Sequence, residues 1–353
     1  MNYFSSDNEV VSELIYGKQE NIDVDLSIVI PTYRRIGFLR KTICSINRQR
    51  ITGRISYEVI IVSNDPEYKI DDIVDLLNVN RYKVYRNANN IGMVGNMNRC
   101  AILAQGKYIS YVQDDDILLD DYFESVENLF DSGKLKNIDC LIPNRYYYYD
   151  MGNRDSIFGE QSYKKEKKKE LLRKMISVGN PTEEFQKVAI QDCAETWFNC
   201  FGGGPTCGML FKRESLLKTE GFSKEYPYAF DFVFFMDFSN EYNVVLYNKY
   251  LAVYRMTDSA SNRPAVQNDF FRSDMRLLER TENTNAFVSF FKDEIIRFSI
   301  ENKSSDTQKI IEPIPHTNNN MKYMFFRVIR FWNLMRSNVY RRKLLPQELL
   351  SKI

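Results

Sequence analysis

Short apolar runs alternate with amphipathic segments through the first third of the chain. Leu26-Ser27-Ile28-Val29-Ile30 is rich in β-branched residues and is stopped by Pro31, which reads as a strand buried on both faces. Phe38 to Arg50 then places Leu39, Ile43 and Ile46 on one helical face. Tyr57-Glu58-Val59-Ile60-Ile61-Val62 predicts a second buried strand, closed by the turn cluster Ser63-Asn64-Asp65-Pro66. A short helix over Ile70 to Leu77, a strand at Tyr82 to Tyr85, a helix over Gly95 to Ala104 and a strand at Tyr108 to Val112 continue the alternation. Repetition at this spacing implies an α/β fold: a Rossmann-like, mostly parallel sheet flanked by helices. Ligands of such sheets sit beyond the carboxyl ends of the strands. The candidate residues are therefore Pro31-Thr32-Tyr33, Ser63-Asn64-Asp65 and Gln113-Asp114-Asp115-Asp116.

Elsewhere the pattern is looser. Residues 1–25 read as a polar lead-in, and Lys164 to Glu170 is a charge run that suits a solvated helix face or loop. Residues 263–353 read as a helical C-terminal region. Within it, Met321, Met324, Phe325, Val328, Phe331, Trp332 and Met335 fall on one helical side, with Lys322, Arg327, Arg330 and Arg336 largely opposite. Two readings stay open: a helix resting on an anionic membrane surface, or one packed on the rest of the chain or on a second subunit, as in a homodimer.

Composition narrows the class. The 353 residues carry 48 Lys plus Arg against 47 Asp plus Glu, so no bulk positive charge points to nucleic acid. A hydrophobic content of 44% supports a real core, and no run of about 18 apolar residues spans a membrane. The six cysteines form no CxxC pair and follow no signal-like segment, so reduced thiols in a cytoplasmic protein are expected. The single histidine, His316, lies in a polar loop and excludes a multi-histidine zinc site or a Ser-His-Asp triad. Proton transfer then falls to carboxylates, and any metal to oxygen ligands.

Three consecutive aspartates, Asp114, Asp115 and Asp116, close the strand at Tyr108 to Val112. Such crowding is unfavourable unless a cation neutralises it, and the oxygen set suits Mn2+ or Mg2+. Asp116 also stands where it can cap a helix over Leu118 to Phe130.

At this point the chain resembles a known family. Ser27-Ile28-Val29-Ile30-Pro31-Thr32-Tyr33-Arg34-Arg35, the second strand, Asn89-Asn90-Ile91-Gly92, Asn96, Asn98, Ala104 to Ile109 and the Gln113 to Asp116 region occur in the order seen in glycosyltransferase family 2, of the GT-A fold. The resemblance is close over residues 26–125 and weaker to about 262. It implies an inverting transfer of sugar from a nucleotide-diphospho-sugar, UDP foremost, to an acceptor hydroxyl on a glycan or lipid-linked glycan. It implies a setting in bacterial surface polysaccharide assembly, on the inner face of the cell membrane. The catalytic domain would be 26–262, with a nucleotide-binding half to residue 120 and an acceptor half from 121. Pro31, Thr32 and Tyr33 would line the nucleobase pocket, with Arg35 alongside. Asn64 or Asp65 would contact the base, and Asn98 and Gln113 the ribose or diphosphate. Asp115 would be the main metal ligand, with Asp114 near ribose or metal. Two departures stand out: Ser63-Asn64-Asp65 replaces the usual Asp-Asp-Gly, and Gln113 replaces the first Asp of Asp-x-Asp-Asp.

On the acceptor side, Tyr228 to Asp237 is an apolar stretch with two acids, and apolar surroundings raise a carboxylate's pKa. By resemblance Asp231 stands where the family's base begins a helix, with Phe230 replacing the usual Glu; Asp237 is the second candidate. Arg255 would meet the diphosphate, because Thr257 stands where many relatives carry histidine. Phe201 to Gly208 lacks the lysine of a phosphate-binding loop. It reads instead as a tight acceptor-side loop, with Gly203 and Gly204 near the acceptor and Trp197 as a stacking platform or plain core. The competing readings are a sugar-phosphate nucleotidyltransferase, which would want glycines where Pro31-Thr32-Tyr33 stands, and an inactive nucleotide-sugar-binding scaffold.

Overall fold

The computed structural model describes residues 2–18, 23–149, 163–164, 167–168, 171, 184–188, 206–256, 263–301, 303, 307–308, 320–336 and 343–352. The first part runs α1 (Tyr3–Asn8), β1 (Ser12–Tyr16), β2 (Leu26–Thr32), α2 (Ile36–Asn47), β3 (Tyr57–Ser63), two 3-10 turns within Ile70–Leu76, β4 (Tyr82–Asn87), α3 (Gly92–Leu103), β5 (Tyr108–Tyr111), β6 (Ile117–Leu118) and α4 (Tyr122–Asp131). There follow β7 (Cys140–Tyr149), β8 (Phe185–Val188), β9 (Met209–Lys212), α5 (Arg213–Leu217), α6 (Phe230–Glu241) and β10 (Val244–Met256). The chain ends with α7 (Pro264–Thr281), α8 (Ala286–Phe290), α9 (Lys292–Glu301), α10 (Asn320–Arg336) and β11 (Lys343–Leu344).

One sheet organises the molecule, in the order β1-β4-β3-β2-β5-β9-β7-β10-β6, with β8 on β10 and β11 on β7. Strands β4, β3, β2 and β5 are mutually parallel. The α/β fold expected from the alternation, a mostly parallel sheet flanked by helices with further helices at the C-terminal end, is what forms. The chain winds outward from β2 to β4, and α3 then carries it back across β2 to β5. The winding direction reverses between β2 and β5, so a crevice opens at their carboxyl ends.

Every residue of β2 is buried, because α2 and α4 cover one sheet face and α3 and α6 the other. The strand runs through Pro31 to Thr32 rather than stopping at Pro31. Alternate residues of a parallel strand bond to opposite neighbours. Thr32 O accepts from Asn64 N on the β3 side, and Val29 O from Val112 N on the β5 side. Pro31 therefore faces β5, whose pairing with β2 ends at Val29–Tyr111, and its missing N–H costs no ladder bond.

The first residues are not a bare lead-in. Strand β1 pairs antiparallel with β4 at the sheet edge, and α1 packs on α3. Asn98, buried on α3, ties them together. Its Nδ2 donates to Asp7 Oδ2 (3.0 Å) and Phe222 O (3.0 Å), and its Oδ1 accepts from Phe222 N (2.8 Å). Lys224 pairs with the same Asp7. Nor does Asp116 cap a helix: α4 begins at Tyr122, with Asp121 before it.

The C-terminal helices share the main core. Leu277, Val288, Phe291, Ile295 and Phe326 belong to the same apolar cluster as Met97, Phe211 and Phe234. Cys44, Cys100, Cys140 and Cys207 are free thiols. No helix among the described residues is long and apolar enough to cross a membrane. His316, Trp332, Met335 and most of the 164–170 charge run have side chains outside the described residues.

Asn98→Ala strands the buried Phe222 N–H and C=O and leaves the Asp7 carboxylate with Lys224 but without its amide donor. We expect a loss of roughly 2–4 kcal/mol in urea-induced unfolding. Unchanged stability would return Asn98 to a role at the ligand.

Candidate functional site

The crevice between β2 and β5 is lined by the residues that end those strands. Thr32 Oγ1 donates to Asp114 Oδ2 at 2.8 Å, so the two strand ends are joined side chain to side chain. Arg35, at the start of α2, reaches across with both terminal nitrogens: Nη1 to Asp114 Oδ1 at 3.1 Å and Nη2 to Asp115 Oδ2 at 2.6 Å. Burial pushes the Asp114 carboxyl up to about 6, with Asp115 adding to the rise; Arg35 and the Thr32 hydroxyl pull against it. Thr42 on α2 donates to the carbonyl oxygens of Asp114 (2.9 Å) and Asp116 (2.8 Å) and fixes the turn.

The third aspartate faces away. Asp116 is fully buried; its Oδ1 accepts from Arg255 N at 3.4 Å, and its Oδ2 has no hydrogen-bond partner among the described residues. Burial, and next the charge of Asp115, drive its pKa well above the ordinary carboxylate value. The acid cluster thus offers two carboxylates to the crevice rather than three. The guanidinium groups of Arg35 and Arg255 both lie over the Phe38 ring, at 5.1 and 5.2 Å, so the two cations share one aromatic platform.

A divalent cation fits this donor set in a limited way. No group of three or more His, Cys, Asp or Glu residues able to hold a metal occurs among the described residues. Magnesium-like ions, however, commonly take one or two carboxylates and complete their shell with water and substrate phosphate. The Arg35 guanidinium, bonded to Asp114 and Asp115 together, marks the place where positive charge is favoured.

The base-reading residues divide differently from the expectation. Asn64 is occupied within the protein: its Nδ2 donates to Asn90 Oδ1 (2.8 Å) and Gly92 O (3.1 Å), and its Oδ1 accepts from Ile91 N (3.0 Å) and Asn87 Nδ2 (3.2 Å). Asn96 extends this network to Asn87 and to Val62 O. Asp65 instead lies at the rim, where Arg34 Nε donates to it at 2.8 Å and holds its carboxyl below the usual range. Arg34 adopts φ 56°, a conformation uncommon outside glycine, and its guanidinium covers the exposed Tyr33 ring at 5.2 Å. Gln113 turns toward the acceptor half, donating to Thr206 Oγ1 at 2.7 Å. With Asn98 bound to the N-terminal helix, neither Asn64 nor Asn98 has a side chain free to meet a nucleotide in this arrangement.

Asp231 lies in the first turn of α6. Burial raises its carboxyl to about 6, while the Phe232 N–H and the charge of Arg145 lower it in part. It does not cap the helix. Asp269, from α7, accepts from Tyr228 N (2.8 Å) and Ala229 N (2.9 Å) instead. Arg145, buried on β7, acts electrostatically on Asp231 and on Asp116, which places the two acids within reach of one charge. Asp237 is braced by Arg276 and Arg280 and is not a base candidate. Trp197, Gly203 and Gly204 lie outside the described residues, as does Thr257. Sequence reading missed Arg145, Asp269 and Thr206, whose roles come from contacts 40 or more positions away along the chain.

Comparison with known proteins agrees with this fold. Residues 27–185 match the family described as Glycosyl transferase family 2. The fold is similar to a fragment spanning residues 1–349 of S. aureus TarS in complex with UDP (TM-score 0.53, 15% identity, 88% of this chain and 89% of that one). The same fragment in complex with UDP-GlcNAc gives TM-score 0.53 and 13% identity over the same shares, 88% and 89%. The mannosyltransferase PcManGT from Pyrobaculum calidifontis, in complex with GDP-Man and Mn2+, gives TM-score 0.50 and 11% identity, covering 95% of this chain and 90% of that one. No curated protein matches the chain.

The raised Asp231 value has a thermodynamic consequence. An acid whose pKa is higher folded than unfolded stabilises the fold below its unfolded value, and that contribution disappears as pH rises through the folded value. For Asp231 the window is pH 4 to 6.5. Asp231→Asn removes this dependence, so the variant should gain roughly 2–3 kcal/mol relative to the parent between those limits. Denaturant unfolding of both proteins without ligand at several pH values measures it; parallel curves would place Asp231 in water.

Proposed function

We propose, starting from residues 27–185 as a segment of glycosyl transferase family 2, that this chain is an inverting glycosyltransferase using a UDP-sugar. The observation that carries the reading is the paired carboxylate end of β5, Asp114 and Asp115, held with Arg35 at the point where the sheet reverses its winding. Open α/β sheets take their ligands there, and the diphosphate of a sugar nucleotide needs the positive charge that those acids attract.

In this reading the nucleobase lies along Pro31, Thr32 and Tyr33, with the Arg34–Asp65 pair as its polar edge. Asp114, already bonded to Thr32, takes the ribose side, and Gln113 links the donor pocket to the acceptor loop at Thr206. Asp115 and Asp114 would hold Mn2+ or Mg2+, which supplies Lewis-acid stabilisation of charge on the departing diphosphate. Arg35 and Arg255 add fixed positive charge beside it. Asp231 accepts the proton of the acceptor hydroxyl; a carboxyl near 6 is ionised at neutral pH yet more basic than an ordinary aspartate. Arg145 helps keep it ionised.

UDP is favoured over other carriers because the TarS fragment of the same fold binds UDP and UDP-GlcNAc. The acceptor class is a hydroxyl of a glycan, free or lipid-linked, and the setting is bacterial surface polysaccharide assembly.

Thermal unfolding with a panel of nucleotide sugars, with and without Mn2+, tests the donor side. The matching donor with Mn2+ should raise the midpoint by an amount equivalent to about 2.7 kcal/mol at a hundredfold excess over Kd. EDTA or Asp115→Ala should remove most of that shift; a shift that survives both would end the metal assignment. Asp231→Asn should keep the thermal shift and lose roughly 10²–10⁴-fold in kcat for transfer. Transfer at the parent rate by that variant would send the search for the base elsewhere.

A further inference from the structure

Helix α10 buries only one side. Tyr323 and Phe326 pack inward against Phe291 and Phe298, and Tyr323 hydrogen-bonds Glu301. The opposite side carries Met321 (81% exposed), Met324, Phe325 (59%), Val328 and Phe331, spaced as one continuous helical stripe. Phe290 at the end of α8, 60% exposed, lies beside the stripe under the Lys322 ammonium, 4.6 Å from its ring. Six large apolar side chains gathered on one surface exceed the scatter of single exposed hydrophobics that soluble proteins tolerate, and such patches mark interaction sites.

Charge selects the partner. Between Glu312 and Glu348 the chain has seven Lys or Arg residues and no Asp or Glu. Arg327 flanks the stripe on one side by helical position, Lys322, ion-paired with Glu294 at 3.0 Å, stands on the other, and Arg336, Arg341 and Arg342 follow in sequence. In a two-fold dimer built on this stripe each copy would present the same cationic flank to the other, and like charges would face each other. An anionic lipid surface meets both properties at once: it takes the apolar side chains to the depth of the acyl boundary and pairs the flanking cations with its headgroups. We infer that the exposed stripe of α10, with Phe290, is a docking face for an anionic membrane. The inference is independent of the transfer chemistry proposed above.

The face is fixed to the rest of the molecule at two places. Helix α10 packs on α9, and β11 beyond it pairs with β7 at Tyr146 and Tyr147, next to Arg145. Docking would therefore set the orientation of the acceptor half relative to the lipid surface.

Co-sedimentation of the full chain with vesicles of phosphatidylcholine, with and without 30–40 mol% phosphatidylglycerol (roughly the anionic content needed for a strong surface potential), tests this. We expect binding to the anionic vesicles only, weakening at least tenfold between low and high salt. The variant Phe325→Ser/Val328→Ser alters only exposed positions; it should keep the parent's unfolding midpoint and lose at least tenfold in partitioning. Free glycerol phosphate should not compete, which separates a surface from a headgroup pocket. Equal sedimentation with neutral vesicles, competition by glycerol phosphate, or a lipid-free dimer that the double variant dissociates would each overturn the inference.

Discussion

Negative charge at the end of a buried strand is the constraint around which the crevice is arranged. Three aspartates in a row leave β5 in a turn, which presents Asp114 and Asp115 to the crevice and Asp116 to the interior, so one pocket does not receive all three. Asp114 and Asp115 meet Arg35, while Asp116 goes inward and is pushed toward its neutral form. Arg35 and Arg255 rest over Phe38, which holds two cations near the acids in defined places. Burying carboxylates beside one another is unfavourable unless something of opposite sign attends them, and such arrangements concentrate at functional sites.

The same reasoning explains which parts of the fold were legible in the sequence. The strands β2 to β5 and their helices follow from local periodicity, which is why their order and burial could be read directly. Pro31 misled only about where β2 stops, since its side of the strand has no partner at that point. The roles of Asn64 and Asn98 could not be read from neighbours. The Asn64 side chain makes four hydrogen bonds within the protein, to Asn87, Asn90, Ile91 and Gly92, and that of Asn98 makes three, to Asp7 and Phe222. A polar residue after a strand is equally compatible with a ligand contact and with such a network, and only the tertiary partners distinguish them. Asp116 is the same case for an acid: its type pointed to the metal, its direction to the interior.

The acceptor half was less legible because its elements are joined by long-range pairing. Strand β7 runs parallel to β10, about a hundred positions later, and antiparallel to β9. Arg145 therefore appears in the sequence as one cation among many, although it is the charge that both Asp116 and Asp231 feel. Gln113 is similar. It stands where the resemblance leads one to expect the first acid of Asp-x-Asp-Asp. Its amide donates to Thr206 Oγ1 and so connects the two halves without placing a further negative charge beside Asp114.

In the proposed reading, Asp231 links the C-terminal helices to the acceptor side as well as to the packing. The first N–H groups of a helix need acceptors, and an aspartate in the first turn is the usual side chain to supply one. Asp231 accepts from Phe232 N at 2.8 Å within its own first turn, and that bond to its charged form offsets part of the rise that burial causes. Asp269 on α7 accepts from the N–H groups of Tyr228 and Ala229, the residues that lead into α6, and so holds the start of the helix that carries Asp231. Helix α7 is in turn placed by Leu277 and Leu278 in the main core. A helix beyond the matched residues 27–185 thereby positions the start of α6, and Asp231 with it, which ties the C-terminal region to the acceptor half.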